Sequence, residues 1–193
     1  MTRDSLKNTL SGLSYRDQRD GHSYALITLG QHLWTAENLR YYSTFGTFGL
    51  RNCNSNIKDY GGYYTWNDVD EACPPGWKIP TVDEWQEFYS AWKKRYQDLD
   101  FVKFASGNVI EEFGTLPMGG IGNLQDGLFN DATFDDVHKA AYFWARSQDS
   151  FYGVKIFSIT VDGVRISNPV GTELCNLRVV KRLDKAAKED DMS

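Results

Sequence analysis

Residues 81–97 contain the sequence pattern that limits the fold most. Thr81-Val-Asp-Glu84 is a capping box, in which the threonine and glutamate side chains accept hydrogen bonds from backbone N–H groups of a first helical turn. Five aromatic residues then recur at offsets 0, 3, 4, 7 and 11, namely Trp85, Phe88, Tyr89, Trp92 and Tyr96. This spacing places all five rings on one helix face. We therefore predict a helix to about residue 97 that packs on a sheet, and not an aromatic cofactor box.

Strand patterns around this helix complete an α+β fold. Residues 24–30 and 31–36 predict a hairpin around Gly30. Residues 154–161 and 164–167 predict a second hairpin with its turn at Asp162-Gly163, because this dipeptide adopts the positive φ angles of a tight turn. Other predicted elements are a strand at 140–146, a last strand at 175–180, a short helix capped by Asn67 or Asp68 that runs to about Cys73, and a long loop at 43–62.

The length of 193 residues suits one domain with its own core. We predict a polar N-terminal arm at 1–14, a domain at 15–182 and a charged, disordered tail at 183–193.

Charge and hydropathy argue against two classes of protein. The chain has 21 basic and 26 acidic residues, and a net charge of -5 repels phosphate backbones on average, so we expect no nucleic-acid partner. No apolar run approaches the roughly 20 residues that span a bilayer, so we expect no membrane insertion. The sequence shows no signal-peptide pattern, and its odd number of cysteines, three, favours a reducing compartment. We expect a cytoplasmic or phage-virion location for the chain as written, or the cell surface if the chain is trimmed.

Motifs for catalysis and metal binding are weak. No nucleophile lies in a pattern with a base, and no paired histidines suggest zinc, so we expect no catalytic residue, no metal and no cofactor. We interpret Trp66-Asn67-Asp68 as helix-capping residues and not as calcium ligands. Glu37, Asp83 and Glu84 suit structural hydrogen bonds better than acid–base chemistry. Four aspartates could hold a hard cation, but we interpret them as part of a solvated loop: Asp126, Asp131, Asp135 and Asp136, with Asn123 and Asn130 among them.

Three further segments occur in a characteristic order. They are Trp34-Thr-Ala-Glu-Asn-Leu39, Tyr60-Gly-Gly-Tyr-Tyr-Thr-Trp66 and Ala72-Cys-Pro-Pro-Gly-Trp-Lys-Ile-Pro-Thr-Val-Asp-Glu-Trp85. Together they resemble the Fibrobacter succinogenes major paralogous domain family. Leu116-Pro-Met-Gly-Gly120 and Tyr142-Phe-Trp-Ala-Arg-Ser147 resemble later motifs of that family, so the resemblance extends from about residue 15 to residue 182.

The resemblance implies a C-type-lectin-like fold. Such a fold has paired terminal strands, two helices and a loop-rich second half, whose loops lie on one face and present a ligand surface. Members of the family usually have a cysteine where this chain has Val179, and Cys175 lies four residues earlier. Because of this departure, a disulfide between Cys73 and Cys175 is left open.

On this resemblance we expect a non-enzymatic module that binds a protein or glycan through its loops. The expected contact residues are Asn123, Gln125, Asp126, Trp144, Arg146, Gln148, Asp149, Phe151 and Tyr152. The same architecture is used by the variable proteins of diversity-generating retroelements, which implies a bacterial or phage surface protein for receptor recognition as one form of this function.

Two alternatives remain open at this stage. One is a formylglycine-generating type of cysteine oxidase, which would need Cys73 and Cys175 as reactive thiols. The other is a structural component of a surface or virion assembly. The sequence leaves the identity of the ligand and the oligomeric state undetermined.

Overall fold

The computed structural model has the α+β architecture predicted from the sequence. It describes residues 13–44, 46–95, 118–125, 131–147, 153–160 and 162–183. The predicted tail from residue 184 and the predicted arm up to residue 12 lie outside these residues. Within the part of the chain that is described, no helix is long and apolar enough to span a bilayer.

A four-stranded antiparallel sheet contains the first and the last described strands. Its strands are β1 (Ser14–Arg16), β2 (Ser23–Leu29), β3 (His32–Thr35) and β11 (Val180–Arg182), in the order β1-β2-β3-β11. Leu29 lies opposite His32, so β2 and β3 form the hairpin predicted around Gly30, which has a φ of 60°.

The second sheet contains seven strands. They are β4 (Tyr63–Tyr64), β5 (Ile121–Leu124), β6 (Ala132–Asp135), β7 (Ala140–Arg146), β8 (Val154–Thr160), β9 (Gly163–Ser167) and β10 (Glu173–Asn176). The order is β6-β5-β10-β7-β8-β9, with β4 also paired to β10. β10 pairs with β7 in parallel, and the other strand pairs of this sheet are antiparallel.

Three α-helices lie among the described residues. They are α1 (Ile57–Tyr60), α2 (Val69–Ala72) and α3 (Val82–Arg95), and short 3-10 helices occur at Leu50–Asn52, Asn54–Asn56 and Trp66–Asp68. The capping box of α3 is confirmed, because the Thr81 amide donates to Glu84 Oε2 and the Glu84 amide donates to Thr81 Oγ1.

The aromatic face of α3 is confirmed where it is described. Trp85 and Phe88 are buried, and Tyr89 packs against the same cluster. The side chain of Trp92 and all of Tyr96 lie outside the described residues. Trp85 contacts Trp34 of one sheet and both Phe143 and Phe157 of the other. The main core therefore lies where α3 meets the two sheets.

Four predicted elements need correction. The strand predicted at 175–180 is two strands, because the chain leaves β10 at Asn176 and enters the other sheet at Val180. Between them, Leu177 and Val179 accept backbone hydrogen bonds from Leu39 and Thr35. These partners are distant in sequence, so the apolar pattern alone could not reveal the change of sheet.

The other corrections are local. The second hairpin pairs Thr160 with Gly163, so residues 161 and 162 connect its strands and Gly163 begins β9 with a φ of 125°. The predicted loop at 43–62 contains two 3-10 helices and α1. The loop predicted around the four aspartates includes the paired strands β5 and β6.

All three cysteines are free thiols. Cys175 lies in a cluster of buried apolar side chains that also contains Val179. Cys73 is partly buried and packs against this cluster. The disulfide left open between Cys73 and Cys175 is not formed.

Candidate functional site

The end of β7 meets the start of α3 and the helical turns after β4. The Arg146 amide donates to the Pro80 carbonyl at 2.9 Å, and Arg146 forms a parallel bridge with Thr81. The helical turns bring Trp66 and Asp70 to the same place. We call Trp66, Asp70 and Arg146 the corner site.

The three side chains of the corner site contact one another. The Arg146 guanidinium forms an ion pair with the Asp70 carboxylate, and its central carbon lies 5.3 Å from the centre of the Trp66 ring. The side chains of Arg146 and Asp70 are 44% and 77% exposed. A ligand can therefore reach both charges, and an exposed ion pair costs little to exchange for a new partner.

Buried tryptophans support the corner site from below. Trp66 packs edge-on against Trp144, with 5.5 Å between ring centres. The Trp144 indole N–H donates to the Tyr64 carbonyl at 2.8 Å, and the Trp85 indole N–H donates to the Trp144 carbonyl at 3.3 Å. These hydrogen bonds fix the ring beneath Trp66, so the exposed side chains lie on a rigid base.

Trp144 is the predicted contact residue that the structure contradicts. Its exposure is 1%, and its only polar group is satisfied inside the protein. Successive side chains of β7 point to opposite faces, and the Trp144 side chain packs into the buried cluster that contains Cys175 and Val179. It therefore supports the corner site and cannot touch a ligand directly.

Asn123 and Gln125 lie in a different set of contacts. Asn123 pairs with Glu173 across β5 and β10, and the Gln125 amide donates to Thr133 Oγ1 at 3.1 Å. Arg146 instead contacts Asp70, Trp66 and Pro80. The described contacts of Asn123 and Gln125 share no residue with those of Arg146.

Five predicted contact residues lie outside the described residues: Asp126, Gln148, Asp149, Phe151 and Tyr152. Four of them, from Gln148 to Tyr152, follow Ser147 in the chain. Ser147 directly follows Arg146 of the corner site. Its amide donates a hydrogen bond to the Gly153 carbonyl at the base of the connection between β7 and β8.

Sequence reasoning missed Trp66 and Asp70 as functional residues. They are four residues apart in a helical segment, which places two side chains on one face. That spacing could have indicated a shared surface for Trp66 and Asp70, but we interpreted the segment only as helix-capping residues. The caps themselves are wrong: neither Asn67 nor Asp68 caps with its side chain, and the Asp68 carboxylate accepts a hydrogen bond from the Thr65 hydroxyl at 2.6 Å.

Three acidic residues that the sequence analysis named, Asp131, Asp136 and Glu37, serve as structural acceptors. Asp131 accepts a hydrogen bond from Asn52, and Asp136 accepts one from the Tyr142 hydroxyl. The Glu37 carboxylate accepts the Ala25 amide and pairs with Arg40. No group of three or more metal-ligating side chains occurs among the described residues.

The buried thiols are poorly suited to nucleophilic chemistry. Burial raises the pKa of Cys73 to about 11, and burial raises the pKa of Cys175 well above its ordinary value. Exposed Cys53 differs, because a hydrogen bond with the Ser55 hydroxyl lowers its pKa. A thiolate is the reactive form of cysteine, so the raised pKa values of half-buried Cys73 and buried Cys175 favour their less reactive protonated form near neutral pH.

The fold and the corner site define a single α+β domain with a rigid aromatic core and an exposed polar and aromatic surface. A family model, the Fibrobacter succinogenes major domain, matches residues 27–181. The chain belongs to this family, as its motifs predicted. Neither curated proteins nor solved structures give a match.

Proposed function

We propose that this protein is a non-enzymatic recognition module that binds a protein or glycan ligand at the corner site. In this proposal the scaffold is C-type-lectin-like, and Gln148, Asp149, Phe151 and Tyr152 remain expected contact residues on the basis of the sequence alone. The first and last described strands lie in one sheet, as such a scaffold requires, which supports the assignment.

The observation that carries the proposal is the exposed guanidinium of Arg146 held against the ring of Trp66. Arginine and tryptophan are the residues most enriched where binding energy concentrates. Here both are oriented before any ligand arrives, by Asp70 on one side and by the Trp144 ring on the other. Preorganised side chains lose little entropy on binding, so the arrangement favours recognition.

A cysteine oxidase fits the described thiols less well. That activity needs two reactive thiols, whereas the pKa values of Cys73 and Cys175 are raised. Titration of the folded protein with a thiol reagent tests this alternative. We expect Cys53 alone to react quickly and the other two to react only after unfolding; rapid reaction of Cys73 and Cys175 would favour the oxidase.

One finer form of the proposal and the remaining alternative have their own tests. A variable protein of a diversity-generating retroelement would have a near-copy of the coding segment for residues 140–182, differing at adenines, beside a reverse-transcriptase gene. A structural component of a surface or virion assembly would form large particles, which light scattering detects.

A binding screen with matched variants tests the main proposal. The wild-type protein is screened against arrays of glycans and surface proteins, and each ligand found is titrated with R146A, W66A and R165A. Arg165 is the control, because it is an exposed arginine, 69% accessible and paired with Asp162, outside the corner site.

We expect R146A and W66A each to weaken binding by about 30-fold, the effect of removing a side chain worth roughly 2 kcal/mol. R165A should bind as the wild type does. Circular dichroism confirms that each variant is folded. A ligand that binds R146A and W66A with undiminished affinity contradicts the proposal.

A further inference from the structure

Strand β9 forms one edge of the seven-stranded sheet. It pairs with β8 through five residue pairs, and no second neighbour of β9 occurs among the described strands. Edge strands expose backbone hydrogen-bonding groups that another strand can use.

The register shows which backbone groups of β9 face outward. Thr160 and Gly163 are opposite each other with two residues between them, and a two-residue connection closes on a hydrogen-bonded pair. Such pairs alternate along the ladder, so Gly163, Arg165 and Ser167 direct their N–H and C=O groups toward β8. The hydroxyls of Thr160 and Ser158 donate to the carbonyls of Gly163 and Arg165, in agreement with this direction. Val164 and Ile166 therefore direct their N–H and C=O groups away from the sheet.

Side chains at this edge leave it open. Arg165, Ile166 and Ser167 are all exposed, and Ile166 is 43% exposed although it is apolar. Val170, shortly after the strand, is 87% exposed. The strand has no proline, and Arg165 is the one charged side chain of Gly163–Ser167, so protection against edge pairing is limited to that arginine.

We propose that β9 pairs antiparallel with β9 of a second copy of this chain across a two-fold axis. Ile166 then lies opposite Ile166 of the second copy, and Arg165 lies opposite Ser167 of the second copy. In this register the outward N–H and C=O groups of Val164, Ile166 and Asn168 bond across the axis. The two sheets join into one continuous sheet of fourteen strands, twice the seven of one chain.

The sequence of β9 favours a second copy over an unrelated peptide. Two-fold antiparallel pairing requires opposed residues to share a face, which permits registers that centre on Val164, Arg165 or Ile166. Centring on Arg165 opposes two like charges. Centring on Ile166 opposes two exposed apolar side chains, and each arginine faces an uncharged serine, so this register pairs apolar surface and avoids a contact between like charges.

Proline substitution at an outward position tests the dimer in the full chain. Ile166→Pro removes one outward N–H and keeps every β8–β9 hydrogen bond, and edge positions of this kind tolerate proline. Ile166→Val is the matched control, because it keeps the N–H group and the apolar surface. Ile166→Lys is a second variant that opposes two positive charges across the axis.

Sedimentation equilibrium up to about 0.5 mM measures the association, since a short edge predicts a weak dimer. We expect the wild-type protein and I166V to dimerise with similar constants, and I166P and I166K to associate at least tenfold more weakly. A wild-type protein that stays monomeric, or I166P and I166K proteins that dimerise like the wild type, would overturn the proposal. Because β9 contributes no residue to the corner site, this result is independent of ligand binding.

Discussion

Arg19 connects parts of the chain that are far apart in sequence. Its guanidinium donates to the carbonyls of Glu71 and Ala72 at 2.6 and 2.8 Å, at the end of α2, and pairs with buried Asp17. It also lies 3.8 Å from the centre of the Tyr41 ring. One side chain therefore binds the connection between β1 and β2 to the helix that supplies Asp70.

We expect Arg19→Ala to lower the free energy of unfolding by about 2–3 kcal/mol, because hydrogen bonds made by charged groups are worth that much and the Asp17 carboxylate loses its partner. Urea unfolding measures the change. Arg16→Ala is the control, since Arg16 is exposed on the neighbouring strand and should change stability by less than about 0.5 kcal/mol. Equal losses in the two variants would refute the role of Arg19.

Glu84 makes stability depend on pH. Burial alone would raise the pKa of this carboxyl, but hydrogen bonds from Lys78 and Thr81 and the nearby positive charges lower it below its ordinary value. A carboxyl whose pKa is lower in the folded protein stabilises the fold above the unfolded pKa. That contribution is lost as the pH falls through the folded pKa.

We expect Glu84→Gln to cost roughly 0.5–1 kcal/mol at pH 7, because glutamine still accepts the Thr81 amide but loses the ion pair with Lys78. The difference from wild type should begin to shrink as the pH falls below about 4.5, the ordinary pKa of a glutamate carboxyl, and should be lost as the pH falls through the lower folded pKa of Glu84. Thermal unfolding at pH 7 and pH 3.5 measures both. A difference that is constant with pH would show that the charge of Glu84 contributes nothing.

At the scale of elements, the sequence correctly predicted the features that depend on residues close to one another in the chain. The capping box, the aromatic face of α3 and the hairpin at Gly30 each follow from residues a few positions apart. The division of the last strand at Leu177–Val179 and the burial of Arg178 depend on distant partners, and no local pattern marks them. Arg178 is fully buried with its Nε bonded to Asn38, and burial lowers its pKa to about 9 although Glu37 opposes the shift.

The residues of the corner site also divide into those that the sequence could indicate and those that it could not. Arg146 was chosen from the family resemblance, which implies that the loops of the second half lie on one face. Trp144 was misplaced because the face of β7 that it occupies cannot be known without the sheet. Asp70 and Trp66 contact Arg146 although they precede it in the sequence by 76 and 80 residues. Sequence alone could not show that contact.

The residue before β5, Gly120, forms a parallel bridge with Ala141 of β7 and must be a glycine. Gly120 has a φ of 76°, and a Cβ atom there would lie 1.9 Å from the Asp135 carbonyl oxygen. Gly30 also has a positive φ, of 60°, but a Cβ atom there would meet nothing within 4 Å. Alanine substitutions at these two positions therefore distinguish the cost of backbone strain alone from the cost of strain combined with steric overlap.

We expect Gly30→Ala to cost about 1–2 kcal/mol, the strain of a left-handed residue. Gly120→Ala should cost more than about 3 kcal/mol, because the backbone of β6 must also move. Chemical denaturation of both variants measures the difference. If the two substitutions cost the same, the contact with Asp135 is not tight in solution.

At the scale of the whole molecule, α3 joins the two sheets into one unit. The Trp85 ring packs 5.0 Å from Trp34 of the four-stranded sheet and 4.5 Å from Phe143 of the seven-stranded sheet. Both sheets contribute side chains to the buried cluster that Trp85 and Phe88 of this helix complete.

We therefore expect Trp85→Ala to destabilise the whole domain by about 3–5 kcal/mol. Unfolding followed by far-ultraviolet circular dichroism and by aromatic circular dichroism should stay coincident, because the sheets unfold together. Tyr42→Ala, at a residue that is 54% exposed, is the control and should unfold like the wild type. Two separate transitions in the Trp85 variant would mean that the sheets are independent.

The position of Trp66 between a buried indole and an exposed cation has a practical consequence. Indole emission shifts in wavelength and intensity with the polarity of its surroundings, and a nearby charge changes it further. A ligand that draws Arg146 away from the Trp66 ring will therefore alter the intrinsic fluorescence of the unlabelled protein. Comparison with the W66A spectrum isolates that signal, so the molecule contains its own optical reporter of occupancy.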